Sequence, residues 1–169
     1  MEINTLLSYM SEYGLLLMAI IIFLEYLNLP GFPAGIILPV AGIWTSNSNT
    51  NFWFVLGISV LSALIASWIL YAIGWYFGDF ILTKYLKRFP KQENIIQKQL
   101  NYLQQKGYLW VLISKLIPMV RTIISLPAGL LKLNFFTYTI ASTIGITIWN
   151  AVLIYSGYLF KEEILSQFI

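Results

Sequence analysis

Two cations in an apolar segment are the residues of this chain best suited to chemistry. Lys115 and Arg121 stand in SKLIPMVRTIISLPAG, residues 114–129, which Pro118 and Pro127 interrupt. If this segment lies in a membrane, an Arg costs at least ~2.5 kcal/mol and must face water or a partner. The guanidinium has a fork of donors that suits a carboxylate or a phosphate. We predict that Arg121, helped by Lys115, binds an anion; the alternative for Lys115 is snorkelling to the interface.

One acid in the first apolar part of the chain, Glu25, could balance the charge of these cations. In a structural role it would pair with Arg121 or Lys115. In a functional role it would be a protonatable switch, because intramembrane acids often serve in proton relays. The residues leave both roles open. Two uncharged polar residues, Ser125 and Asn150, are predicted to line the cavity around the charges, although Asn150 would equally suit a hydrogen bond between helices.

The composition indicates an integral membrane protein. The chain is 59% hydrophobic and 10% charged, whereas soluble domains average about 45–50% apolar and about 25% charged residues. Its 169 residues suit a single domain, 1–169. It contains no Cys and no His, which excludes disulfides, thiol chemistry, His-ligated metals and Ser-His or Cys-His catalytic pairs. We predict no metal, no cofactor and no enzymatic activity.

A basic stretch separates two apolar parts of the chain. Between residues 84 and 106, six Lys and Arg residues stand against one acid, Glu93. The positive-inside rule predicts that residues 84–106 are cytoplasmic, and their position between apolar runs argues against nucleic acid as a partner. Residues 90–106 have apolar positions at helical spacing, with Pro90 suited to the start and Gly107 to the end of a helix. This amphipathic helix would lie on the membrane surface or pack on the protein's own cytoplasmic face.

The apolar residues divide into two similar halves, about 12–83 and about 107–160, joined by the linker helix 90–106. Each half contains an apolar piece interrupted by prolines, then a run long enough to cross a bilayer, residues 52–82 and 134–160. In each half, two prolines of the interruption are nine residues apart. Pro/Gly-interrupted segments at matching positions of two halves indicate a transporter site built from inverted repeats.

We therefore predict an all-α integral membrane protein with an inverted repeat of two re-entrant helical hairpins, each followed by a transmembrane helix, plus a cytoplasmic amphipathic helix. Non-helical backbone survives at membrane depth only where protein or a wet cavity surrounds it. The alternatives are simple proline kinks, and residues 13–29 crossing outright rather than forming half of a hairpin. The predicted breaks are Pro30, Gly31, Pro33, Gly35, Pro39 and Gly42 in the first half, and Pro118, Pro127 and Gly129 in the second.

Three motifs together resemble the DedA family, also called the VTT-domain or SNARE-associated Golgi family, over about residues 23–157. They are Glu25 with LPGFPAG and PVAG; the pair Gly74 and Gly78 in IGWYFG; and, most specific, Lys115, Pro118 and Arg121 followed by LPAG. Where the family often has a second acid and two arginines, this chain has Gly35, Trp75 and Lys115. A carboxylate pair for proton coupling is therefore incomplete here.

The resemblance implies two opposed re-entrant hairpins and a role in moving lipids between leaflets, since bacterial members are associated with phosphatidylethanolamine or undecaprenyl phosphate. We therefore predict flipping or scrambling of a phosphate-bearing lipid in a bacterial cytoplasmic membrane. Arg121 and Lys115 would hold the phosphate, and Glu25 would balance their charge in the empty state. The alternatives are a proton-coupled carrier of small ions or drugs and a non-transporting scaffold. The lipid, the direction of transport, proton coupling and homo-oligomer formation stay open.

Overall fold

The computed structural model of the protein describes residues 3–27, 34–47, 50–88, 93–118 and 120–159, and the regular structure in these ranges is helical. The helices are α1 (Ile3–Tyr26), α2 (Ala34–Asn47), α3 (Phe52–Arg88), α4 (Glu93–Lys106), α5 (Tyr108–Lys115), α6 (Val120–Ile123), α7 (Ser125–Leu130) and α8 (Phe135–Leu159). The predicted all-α class is confirmed for this part of the chain.

Two of these helices are long and apolar enough to cross a membrane. In α3, Phe52–Phe80 form an apolar stretch of 29 residues, and α8 supplies a second stretch of 25 residues. At about 1.5 Å per residue, each exceeds the ~30 Å hydrocarbon core of a bilayer. The run predicted at residues 52–82 lies within one continuous helix of 37 residues. This helix continues beyond the predicted run and ends at Arg88.

Each long helix begins at an asparagine cap. The Oδ1 atom of Asn51 accepts a hydrogen bond from the N–H of Trp53 at 2.9 Å, and Oδ1 of Asn134 accepts one from the N–H of Thr137 at 3.2 Å. These side chains satisfy backbone donors that the first turn of a helix leaves without an internal partner.

The amphipathic helix α4 packs on the protein itself. Leu103 is fully buried and Leu100 nearly so, and Leu103 belongs to one apolar core with Val111 of α5 and Ala128 of α7. Of the two placements left open by the sequence, the described residues favour packing against the protein. The helix ends at Gly107 as predicted, where a left-handed φ of 51° is one that glycine adopts readily.

The chain forms two compact units that do not follow the two halves of the sequence. Unit 1 comprises residues 1–63 and 147–169, and unit 2 comprises residues 64–146. The long helices α3 and α8 therefore each contribute to both units. The linker helix α4 and the interrupted segment α5–α7 belong to unit 2.

In unit 1, α2 and α8 touch through two glycines. Gly42 of α2 faces the backbone carbonyl of Ile154, and Gly157 of α8 faces that of Pro39; a Cβ at either glycine would overlap the facing backbone. We call this pattern a reciprocal glycine contact. Absence of a side chain at both positions is what lets the two helix backbones approach so closely.

Unit 2 contains the same pattern between α7 and α3. Gly129 faces the backbone carbonyl of Tyr71, and Gly74 faces that of Leu126. In both units, each glycine lies against the residue three positions before the opposing glycine. The two interrupted segments thus pack on a long helix in the same way, each within its own unit.

The interruption predicted in the second half lies between α5 and α6, and Pro118 stands in it. Pro127 and Gly129, also predicted as breaks, lie inside α7 instead. Pro127 is the third residue of that helix, in the first turn, where its missing N–H costs no internal hydrogen bond. The described interruptions in this half therefore lie around Pro118 and at Ile124, between α6 and α7.

In the first half, α1 ends at Tyr26 and α2 begins at Ala34. Gly35 lies in the first turn of α2, and the predicted breaks Pro39 and Gly42 lie within that helix. Proline is tolerated inside membrane helices because neighbouring groups can satisfy the freed backbone. Pro30, Gly31, Pro33 and Pro90 lie outside the described residues. Whether residues 13–29 cross the membrane, and whether α5–α7 is re-entrant, stay predictions.

Candidate functional site

Lys115 is a fully buried cation at the end of α5. Snorkelling would require its ammonium to reach the protein surface. The ammonium does not do so, because the whole side chain is buried. Its Nζ atom donates to Ser67 Oγ at 3.0 Å, to the backbone carbonyl oxygen of Arg121 at 2.9 Å and to Ser125 Oγ at 3.1 Å. An ammonium has three N–H donors, so each of them has an acceptor within the protein.

Tyr138 of α8 adds a third hydroxyl to this cluster, beside those of Ser67 and Ser125. Its oxygen lies 2.8 Å from Ser125 Oγ and 3.2 Å from the carbonyl oxygen of Ser67. Its ring stacks on Tyr71 with 4.7 Å between ring centroids, and the Tyr71 hydroxyl donates to the carbonyl of Leu133. We call the cluster the Lys115 network; its members are Lys115, Ser67, Ser125, Tyr138 and the backbone carbonyl of Arg121.

The break beside Lys115 follows from the local backbone. The N–H of Leu116 donates to the carbonyl of Ile113 at 3.0 Å. This bond joins residues three positions apart, as in the 3₁₀ turn that often ends an α-helix. Pro118 has no N–H, so the helix cannot continue through it with normal hydrogen bonds. Helical bonding resumes where the N–H of Arg121 donates to the carbonyl of Ile117 at 3.1 Å.

Arg121 stands on α6, directly beyond the break, and only 4% of its surface is exposed. Both cations that the sequence assigns to anion binding are therefore buried in unit 2. They are joined through the carbonyl of Arg121, and the predicted polar residue Ser125 lies in the same network. A guanidinium has several N–H donors and no acceptor, so this buried part of the chain has donors from both cations.

Two other predicted site residues, Glu25 and Asn150, belong to unit 1. Glu25 is half-buried in the last turn of α1, and its pairing with either cation stays a prediction. Asn150 is fully buried in α8. Its Nδ2 atom donates to Ser59 Oγ at 3.1 Å, while its Oδ1 atom is buried with no hydrogen-bond partner in the described part of the chain.

The contact of 3.1 Å between Lys115 Nζ and Ser125 Oγ also has the composition of a Ser–Lys nucleophile pair. One contact favours a structural network instead, because the Ser125 oxygen already lies 2.8 Å from the Tyr138 hydroxyl. Among the described residues, no cluster of His, Cys, Asp and Glu could hold a metal ion. The arrangement suits holding charge rather than a covalent step.

The sequence did not identify Ser67, Tyr138 or Ser59 as site residues. All three are hydroxyl residues in long apolar helices, and such residues are common where membrane helices touch. That pattern is the one signal available, and it does not say which hydroxyl meets Lys115. The choice depends on how closely α3 and α8 approach α5 and α7.

An apolar groove of about 510 Å³ lies in unit 1. Its lining residues are Phe52, Trp53, Ala151, Val152, Tyr155 and Tyr158. None of these side chains is charged, so the groove suits hydrocarbon and not a phosphate.

Several bacterial proteins are similar to the chain over most of its length. It is 32% identical over 153 residues to undecaprenyl phosphate transporter A of Staphylococcus aureus (strain NCTC 8325 / PS 47), covering 88% of this chain and 75% of that protein. It is 28% identical to undecaprenyl phosphate transporter A of Bacillus subtilis (strain 168), covering 92% and 76% respectively. The alkaline phosphatase-like protein of Lactococcus lactis subsp. lactis (strain IL1403) is 27% identical, covering 88% and 71%. No solved structure gives a significant match.

The family model of the VTT domain matches residues 31–159. This range includes the reciprocal glycine contacts of both units and the whole Lys115 network. The resemblance drawn from the Lys115, Pro118 and Arg121 motif is therefore confirmed. This chain belongs to the VTT-domain family, also called the DedA family.

Proposed function

We propose that this protein moves a phosphate-bearing lipid across a bacterial cytoplasmic membrane by flipping or scrambling it. The first candidate cargo is undecaprenyl phosphate, the lipid in the names of two relatives. Phosphatidylethanolamine, which also carries a phosphate, is the second. One observation carries the proposal: two buried cations, Lys115 and Arg121, flank a helix break in unit 2.

Arg121 is the proposed phosphate ligand. A guanidinium can bind phosphate oxygens through two parallel N–H donors, and such charge-assisted bonds are stronger than neutral ones. Burial strengthens the attraction, because few water molecules compete with the anion. Lys115 adds a second positive charge close by, as its bond to the carbonyl of Arg121 at 2.9 Å indicates.

Glu25 is the proposed counter-charge of the empty site. A buried cation without an anion is costly, so a carboxylate that takes the place of the lipid phosphate would stabilise the unloaded protein. When the lipid phosphate arrives, it replaces Glu25, and the freed carboxylate can take up a proton. Half-burial of Glu25 in an apolar helix is consistent with this role.

The proposed architecture consists of two opposed re-entrant hairpins, one formed by α1 and α2 and one by α5–α7. The reciprocal glycine contact repeated in each unit supports it, because matching packing is expected of an inverted repeat. In this proposal residues 84–106 face the cytoplasm. The head group crosses along the protein while the hydrocarbon tails remain in lipid.

Reconstitution into liposomes tests the proposal. The initial rate of transfer between leaflets is measured for fluorescent undecaprenyl phosphate and, separately, for fluorescent phosphatidylethanolamine. We expect Arg121→Gln to lower the rate at least about tenfold, since a charge-assisted phosphate contact is lost. Lys132→Gln removes an exposed cation of the same unit and should leave the rate unchanged. If folded Arg121→Gln protein transfers both lipids at the normal rate, Arg121 is not the phosphate ligand.

The alternative, a proton-coupled carrier of small ions or drugs, has one observation in its favour, the half-buried Glu25. It predicts solute uptake that follows an imposed pH gradient in proteoliposomes and stops in Glu25→Gln. It also predicts no transfer of labelled lipid. Lipid transfer without a pH gradient would favour the lipid proposal over this one.

A further inference from the structure

The Lys115 ammonium is attached to three separate helices. Ser67 lies on α3, Arg121 on α6 and Ser125 on α7, and each accepts one of the three hydrogen bonds. Lys115 itself ends α5. One side chain therefore spans the break at Pro118 and ties both of its flanks to α3.

This bonding is poorly suited to direct binding of a ligand. A phosphate could reach the Lys115 ammonium only by displacing one of its three acceptors, all of which are fully or almost fully buried. Arg121 differs, because Lys115 bonds its backbone carbonyl and leaves the guanidinium to other contacts. The bond from Lys115 therefore holds the backbone of Arg121 and not its side chain.

We infer that Lys115 is a positioning residue: it holds the backbone of Arg121 across the break so that the guanidinium is fixed where it binds phosphate. The inference rests on the proposed function, in which Arg121 is the phosphate ligand. It changes the role predicted for Lys115, from a second phosphate ligand to a clamp.

The two roles considered for Lys115, clamp and direct phosphate ligand, predict different effects of its removal in the presence and absence of Arg121. If Lys115 acts only through Arg121, removing it matters while Arg121 is present and has no further effect once Arg121 is gone. If Lys115 binds phosphate itself, its removal weakens binding in both backgrounds. Residues that act through one another give such non-additive effects in a double-mutant cycle.

The experiment measures binding of farnesyl phosphate to the full-length protein in detergent by calorimetry, with farnesol as the probe that lacks the phosphate. The ratio of the two affinities isolates the phosphate contribution, and a general loss of structure would lower both affinities alike. We expect Arg121→Gln to reduce this ratio at least about tenfold. Lys115→Met should reduce it about fivefold or more in the native background, and less than about twofold beside Arg121→Gln.

Each other result has a separate meaning. An unchanged ratio in Arg121→Gln would overturn the phosphate site itself. A normal effect of Arg121→Gln with equal losses for Lys115→Met in both backgrounds would make Lys115 a direct ligand and overturn the clamp. No effect of Lys115→Met in the native background would overturn it as well.

A second variant keeps both charges and removes only the acceptors. In the double variant Ser67→Ala and Ser125→Ala, Lys115 loses two of its three hydrogen bonds. The clamp predicts a lower affinity ratio, because the backbone of Arg121 is less firmly held. A direct ligand predicts an unchanged or higher ratio, because donors of Lys115 become available to phosphate, and that result would also contradict the clamp. This variant serves if Lys115→Met does not fold.

Discussion

Gly129 of α7 lies directly against the backbone carbonyl of Tyr71 on α3, and a Cβ added to it would overlap that carbonyl. The opposing glycine, Gly74, lies against the carbonyl of Leu126 in the same way. In a bilayer, helix association depends on close packing, because lipid tails are as apolar as the side chains they would replace. This backbone contact therefore also fixes Ser125, four residues before Gly129, beside α3.

The first prediction is that Gly129→Ala destabilises the protein by about 1–3 kcal/mol, as overpacking does elsewhere. Both sides of the contact are backbone, which cannot rotate away from an added methyl group. Displacement of α7 should also disturb the Lys115 network and slow lipid transfer. The measurements are the thermal unfolding midpoint in detergent and the transfer rate in liposomes.

Gly57 provides the matched control. It lies in α3, where a Cβ added to it would have nothing within 4 Å, so Gly57→Ala should leave the midpoint unchanged or raise stability by up to about 1 kcal/mol. Gly42→Ala in unit 1 should behave like Gly129→Ala, because its Cβ would overlap the backbone of Ile154. Equal midpoints for Gly129→Ala and Gly57→Ala would mean that the close contact does not support the fold.

The second prediction concerns α4. Leu103 is fully buried within the core of unit 2, whereas Leu109, at the start of α5, is 51% exposed. Leu103→Ala should cost about 2–5 kcal/mol, because it removes packed apolar volume. Leu109→Ala should change stability little. If α4 rested on lipid instead, Leu103→Ala would leave the midpoint in detergent close to that of the native protein.

The sequence predicted those features that the bilayer and the backbone impose directly. Spans such as Phe52–Phe80 follow from membrane thickness, and the break at Pro118 follows from its missing N–H. The rule that a missing N–H interrupts a helix gave a wrong break at Pro39, which lies inside α2. A proline can remain inside a membrane helix when neighbouring groups satisfy the backbone. Apolar spacing in α4 could not distinguish contact with lipid from contact with protein, since either partner would bury the same apolar face of the helix.

The site shows the same division between local and tertiary information. Lys115 and Arg121 were identifiable because a cation in an apolar segment is energetically costly, and such residues usually have a partner or a functional role. Ser67 and Tyr138 were not, because their roles depend on which faces of α3 and α8 meet α5 and α7. That approach is set by small residues such as Gly145, where a Cβ would come within 2.6 Å of Lys115 Cβ.

The third prediction tests the polar pair in unit 1. Asn150 Nδ2 donates to Ser59 Oγ at 3.1 Å, and both residues are fully buried. A double-mutant cycle with Ser59→Ala and Asn150→Leu should give a coupling of about 0.6 kcal/mol, and at most about 1.7, as for other hydrogen bonds between membrane helices. The thermal midpoint in detergent gives each value. A coupling of zero would show that the contact adds nothing to stability.

If Asn150 also lines the transport route, the same variants separate that role from stability. Asn150→Leu removes the Oδ1 acceptor, which has no partner in the described part of the chain. Ser59→Ala leaves this acceptor in place. We expect Asn150→Leu to slow lipid transfer more than Ser59→Ala does, and equal transfer rates would confine Asn150 to a structural role.

The fourth prediction concerns topology and uses the absence of cysteine from the chain. Thr50 precedes α3, and Lys98 lies exposed on α4 after α3 has ended. Because α3 crosses the membrane once in the proposed architecture, the variants Thr50→Cys and Lys98→Cys should react from opposite sides. A membrane-impermeant maleimide applied to intact cells should label Thr50→Cys and not Lys98→Cys, which should react only after the membrane is opened.

A third single-cysteine variant, Lys132→Cys, decides whether α5–α7 is re-entrant. Lys132 is exposed in the turn between α7 and α8. A re-entrant hairpin returns the chain to the side it left, so Lys132→Cys should be protected from the reagent in intact cells, like Lys98→Cys. If α5–α7 crossed the membrane instead, Lys132→Cys would react from outside together with Thr50→Cys. That labelling pattern would replace the inverted repeat with three crossings made by α3, α5–α7 and α8.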